Sequence, residues 1–77
     1  MDTRTKIVAM LGNIAGKPVD ASPDESLFDA GVLDSNSLVD LVAALESEFS
    51  IRIPDSDLTP RKFDSIDRIE GYVRSRS

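Results

Sequence analysis

The segment from Ser35 to Phe49 does most to limit the folds open to this chain of 77 residues. Leu38, Leu41, Val42, Leu45 and Phe49 fall at i, i+3, i+4, i+7 and i+11. One face of a helix therefore carries an apolar stripe that other elements must cover. Two further segments repeat the period. Ile7, Met10, Leu11 and Ile14 predict a first helix over about Thr3–Ala15. Gly16 sits where a left-handed cap is wanted, Pro18 acts as a stop, and Lys17 complements the helix's negative end. Ile66, Ile69 and Val73, with Tyr72 nearby, predict a last helix that starts at Asp64 or Ser65. Arg74 and Arg76 suit its C-terminus, and Gly71 weakens it. The expected fold is all-α, a small antiparallel bundle of three main helices plus a short helical turn, with residues 1–77 forming one domain.

The connections are less regular. Residues 17–34 make a loop of unusual length for so small a domain, and such loops are either functional or disordered. Val19, Leu27, Phe28, Val32 and Leu33 are spaced to anchor it to a core, so an ordered loop is expected. Ser26-Leu27-Phe28 suits a single turn, and Gly31 supplies a backbone angle that other residues resist. Ser50-Ile51-Arg52-Ile53-Pro54 reads as extended. Thr59-Pro60 reads as an N-cap followed by a first-turn proline, opening a short turn that ends near Phe63.

Composition removes several function classes. A hydrophobic content of 40% suits a folded chain. Seventy-seven residues give a core too thin to enclose a deep catalytic cavity. The chain has no Cys, hence no disulfide and no thiolate nucleophile, which fits a reducing compartment. It has no His, which removes the usual general base, the Ser-His pairing and the commonest zinc ligand together. The early apolar run Ile7–Leu11 is too short for a signal peptide or a membrane span, so a soluble cytoplasmic protein without membrane insertion is expected. Residues 20–57 hold ten acids against one base, Arg52, while each flank carries net positive charge. That balance disfavours nucleic acid and suits either docking onto basic protein surfaces or a merely solvated face.

The residues before the central helix carry the chemistry. Asp34 and Ser35 open it at the end of the long loop, and either can accept a hydrogen bond from its unpaired amides. A serine there is exposed at the positive end of the helix dipole, where an attached phosphate diester is electrostatically favoured. Val39 and Ala43 lie one and two turns beyond Ser35, off the buried stripe, with Asp40 and Glu46 flanking them. A small apolar strip in an acidic rim has the character of a modest docking surface. Asp-Ser alone is also simply what capping requires.

The wider pattern is more specific. Leu27-Phe28-Asp29-x-Gly31-x-Leu33-Asp34-Ser35 resembles the signature of acyl and peptidyl carrier proteins. Leu38-Val39-Asp40-Leu41, Ala44-Leu45-Glu46-x-Glu48-Phe49, Ile51-x-Ile53-Pro54 and Phe63-x-Ser65-Ile66 extend the likeness over nearly the whole chain. The resemblance implies 4′-phosphopantetheine on Ser35, installed from coenzyme A by a phosphopantetheinyl transferase. Asp34 would cap the helix and assist the metal-dependent transfer on that enzyme. Ser37 lacks the preceding Asp and would sit inside the first turn. The thiol comes with the cofactor, so the lack of Cys is no obstacle. The implied role is a non-catalytic monomer that holds an acyl or aminoacyl thioester and presents it, at high effective concentration, to a loading enzyme and to downstream acyl-processing or transfer enzymes in natural product or lipid biosynthesis.

The Leu33-Asp34-Ser35 form and the Phe28–Gly31 loop look most like stand-alone carriers, of the aminoacyl or D-alanyl kind. One position departs from the pattern. Many relatives place Leu or Met after the serine, where Asn36 stands here. A dedicated set of partners adapted to a polar contact is the expectation, with Asn36, Val39, Asp40, Ala43 and Glu46 as the partner-binding residues. Two other readings stay open. One is an unmodified adaptor of the same fold; the other is a small hydrolase using Ser35, which has no His and no obvious alternative base.

Overall fold

The computed structural model describes residues 2–76. It contains three α-helices, α1 (Thr3–Ala15), α2 (Ser35–Phe49) and α3 (Ile66–Arg76), with 3₁₀ turns at Asp55–Asp57 and Pro60–Phe63. The described residues contain no strand, so the all-α expectation holds, with two short turns where one was expected. The turn at Asp55–Asp57 went unforeseen because three residues closed by i→i+3 bonds leave no periodic signal.

Each helix ends for a local reason. Asp2 accepts the Thr5 amide at the start of α1, and Gly16, at φ 74°, closes it by donating to Gly12 O. Ser65 Oγ accepts the Arg68 amide and so caps α3, whose helical residues begin one position later. Ser50 corrects the expectation of an extended Ser50–Pro54 run. It is the left-handed cap of α2, at φ 54°, and the chain becomes irregular only after it. No glycine marks that position, so the sequence carries no sign of the turn. Thr59 also differs from expectation. It precedes the Pro60–Phe63 turn, but its hydroxyl makes no capping bond.

The core joins all three helices and the long loop. Ile7 and Leu11 of α1, Leu38, Leu41, Val42 and Leu45 of α2, and Ile66, Ile69 and Val73 of α3 are buried with Leu27, Val32, Leu33, Ile53 and Phe63. Met10, Ile14 and Phe49 pack against this core only in part. Complete burial of a Leu or Phe contributes about 1.5–3 kcal/mol, so Leu27 and Phe63 secure their connections as firmly as a helix residue would. Lys6 lies 3.4 Å from Glu48, so the start of α1 lies beside the end of α2 and the two run antiparallel. Arg76 donates to Arg52 O at 3.0 Å, bringing the end of α3 to the segment that leaves α2.

The long loop is ordered by hydrogen bonds as well as by apolar anchors. The Leu27 amide donates to Asp64 O, and Leu27 O accepts from both Val32 and Leu33. Ser26 Oγ donates to Asp64 Oδ1 at 2.6 Å and accepts the Asp29 amide. The Asp67 amide donates to Pro23 O. Ser26 and Leu27 begin the turn foreseen there, and Gly31 completes it at φ 79°. Loop and α3 are thus stitched together just before the chain reaches Asp34.

Candidate functional site

Three features bring Ser35 to the surface at the mouth of α2. Buried Val32 and Leu33 fix the approach. Asp34, in extended conformation at ψ −174°, turns the chain into the helix. Asp34 Oδ1 then accepts the Ser37 amide at 2.8 Å, and its main-chain carbonyl accepts Leu38. That bond to Ser37 holds the Asp34 carboxyl below the usual carboxylate range, so it is ionised at neutral pH.

Because Asp34 caps the helix, Ser35 does not have to. Ser35 is exposed, and no described residue engages its hydroxyl. Of the two capping candidates, the structure assigns the role to Asp34. Ser37 is half-buried and two residues further into the turn. The α2 N-terminus also leaves early amides without helical acceptors, so a negative group on Ser35 meets favourable charge.

Asn36, Val39, Asp40 and Ala43 are all exposed on the face of α2 that begins at Ser35. Val39 is 60% exposed, the large hydrophobic side chain most open to solvent among the described residues. Glu46 belongs to this group only in part. It is half-buried, and its Oε2 accepts the Ile53 amide at 2.8 Å, so it ties the chain leaving α2 back onto the helix. Sequence spacing missed that duty, because the partner lies beyond the helix in an irregular segment. It also missed the Asp57 cluster, where Lys62 and the Tyr72 hydroxyl meet the two carboxylate oxygens at 2.8 and 2.6 Å. Burial, with Asp57 adjacent, pushes the Tyr72 phenol up to about 12. This cluster braces the 3₁₀ turns against α3 and lies apart from Ser35 in the chain.

Comparison with known proteins supplies the group that such a serine takes. The family described as phosphopantetheine attachment site matches residues 5–73. A D-alanyl carrier protein of Streptococcus thermophilus is 36% identical over 78 residues, covering 100% of this chain and 99% of its own. One from Streptococcus gordonii is 35% identical over the same coverage. One from Lactobacillus acidophilus is 29% identical over 75 residues, covering 97% of this chain and 95% of its own.

The residues present fit a phosphopantetheine group. A free, exposed hydroxyl stands at a helix N-terminus, and its capping duty is discharged by the neighbouring carboxylate. When bound, the group supplies the thiol that a chain without cysteine lacks. In this chain that hydroxyl is left free, the loop behind it is held by hydrogen bonds and buried anchors, and the outer face of α2 is exposed. Carrier proteins are generally non-catalytic. No helix among the described residues is long and apolar enough to cross a membrane. The chain belongs to the phosphopantetheine attachment site family: it is a carrier protein that holds an acyl or aminoacyl group as a thioester on covalent 4′-phosphopantetheine and delivers it to partner enzymes.

Proposed function

We propose that Ser35 bears the arm, and that the cargo is a small aminoacyl group, D-alanyl in the first instance. The observation that carries the assignment is the division of labour at the start of α2. Asp34 caps the helix and leaves an exposed serine hydroxyl free at its positive end. The cargo follows from relatives named as D-alanyl carriers that this chain matches end to end. The chain is a single carrier domain spanning 1–77, supported by one core shared among α1, α2, α3 and the loop. It catalyses nothing itself. Its partners are a phosphopantetheinyl transferase, an amino-acid-activating ligase that loads it and a transferase that unloads it. They approach over Asn36, Val39, Asp40 and Ala43, with Glu46 at the margin. Scarce exposed apolar surface supports a monomer, and the acidic balance argues against nucleic acid. A cytoplasmic location is supported by the absence of Cys, which fits a reducing compartment.

The test is intact mass after treatment with coenzyme A and a promiscuous transferase. Wild type gains one phosphopantetheine and Ser35→Ala gains none. Modification of the Ser35→Ala variant moves the site elsewhere. A wild-type chain that gains no mass would instead be an unmodified adaptor.

A further inference from the structure

The long loop encloses an open cavity of about 260 Å³, bordered by Lys17, Asp20 and Glu25 and by the apolar Val19, Ala30 and Val32. Its charged border is unsuited to a hydrocarbon chain, which gains only where it meets apolar surface. Two of the three charged groups there are carboxylates. No described residue forms an ion pair with Asp20 or with Lys17, and Glu25 is engaged only through Oε1, which accepts the Ser22 amide at 3.2 Å. The cavity therefore offers unpaired anionic groups beside a small apolar floor and one cation.

The cavity is also within reach of Ser35. Val32 stands three residues before Ser35, so their Cα atoms are at most about 11 Å apart. A pantetheine arm has the backbone length of roughly four extended residues, about 13–14 Å, and so spans that separation. The antiparallel pairing of α1 and α2 puts Lys17, just past the end of α1, at the same end of the molecule as the start of α2.

We propose that this cavity receives the tethered aminoacyl group, its α-ammonium facing Asp20 and Glu25 and its methyl group resting on Val19, Ala30 and Val32. Lys17 is left to meet a carbonyl oxygen of the cargo or arm. The inference rests on the aminoacyl reading above. It adds a docking site on the carrier itself, with a preference for small cationic cargo over neutral acyl groups of the same size. Carboxylates beside the amine also keep it protonated, which removes its nucleophilicity while the thioester waits for a partner enzyme.

The test compares two loaded forms of the full chain. One carries D-alanine and the other a propionyl group, each joined to the arm by an amide in place of the thioester and installed from the corresponding coenzyme A analogue. The only chemical difference is the ammonium. Amide resonances of Asp20, Ala21, Glu25 and Val32 should shift in the alanyl form relative to the propionyl form. The alanine amine should hold its proton more tightly than in the free pantetheine conjugate, by about one pKa unit or tenfold in proton affinity. Asp20→Asn with Glu25→Gln should abolish both effects, and Gln at position 25 keeps an oxygen for the Ser22 amide. Shifts confined to residues 34–37, or identical in the two loaded forms, overturn this inference and leave the carrier assignment standing. Failure to take up either analogue overturns both.

Discussion

The two faces of α2 obey different rules. Leu38, Leu41, Val42 and Leu45 face inward, buried in the core that the three helices and the loop share, and their apolar character is set by packing. Asn36, Val39, Asp40 and Ala43 face outward from the same backbone, and nothing in the fold needs them. The inner face specifies a shape that many apolar side chains could fill. On the proposed reading, the outer face, starting at Ser35, is what partner enzymes meet. On that reading stability and recognition are separable by substitution on a single helix, with Glu46, which accepts the Ile53 amide, at the margin of both.

The largest expected effect comes from Ser35→Ala. Phosphopantetheine loading is lost completely, while the helical circular dichroism and melting temperature match wild type, because Asp34 still caps. A large loss of helicity would show that outer and inner faces are not separable at this end. Next is Leu45→Ala, on the inner face. Removing a fully buried leucine costs about 2–5 kcal/mol in urea unfolding. Loading at a temperature where the variant is folded should proceed at the wild-type rate, and a large rate defect there would break the comparison from the other side.

Asn36→Leu probes the outer face directly. Loading by a generic transferase should improve, because an apolar contact in place of a poorly paired amide contributes on the order of 1–2 kcal/mol. Unchanged rates with every enzyme tested would make Asn36 a neutral surface residue and remove the idea of dedicated partners. Asp40→Lys should slow loading a few-fold at low salt, with the difference fading as salt screens it and stability unchanged. Glu46→Lys sharpens the contrast. It should lose rate and also stability, because the Ile53 amide loses its acceptor.

The smallest effect is that of pH on the α2 cap. The Asp34 carboxyl is depressed in the folded state, chiefly by the Ser37 amide. Its stabilising contribution is therefore complete above the ordinary aspartate pKa and is lost as pH falls through the lower, folded-state value. Asp34→Asn keeps an acceptor without the charge. Its stability gap to wild type should be open at pH 7 and close in acid, and a pH-independent gap would assign the effect to something other than ionisation.

Local signals were legible in the sequence where they depend on neighbours in the chain. The bounds of α1 and α2, the Gly16 cap and the Gly31 turn follow from apolar spacing and from residues that tolerate unusual backbone angles. So does the position of Ser35, because the loop anchors and the cap lie within a few residues of it. What stayed hidden depends on residues distant in sequence. Ser26 meets Asp64, Arg4 meets Asp67 and Glu70, and Tyr72 meets Asp57, and none of these pairs has a spacing signature. The cavity is hidden for the same reason, since it exists only once Lys17 and Val32 are folded onto one loop. Ser50 shows the converse case, a special backbone angle taken by a residue with no propensity to announce it.

The separation of duties between Asp34 and Ser35 has a thermodynamic consequence. Were the serine hydroxyl the helix cap, derivatising it would sever a hydrogen bond of the native state alone, and attachment of the arm would be linked to unfolding. With the cap on the preceding carboxylate, adding an arm at Ser35 breaks no native hydrogen bond, and its phosphate, which meets the positive end of α2 only in the folded chain, favours the native state. The pantetheinylated chain is then at least as persistent against unfolding as the unmodified one. Whether a given molecule is active becomes a matter of chemistry at its surface, reached without loosening the fold that presents it.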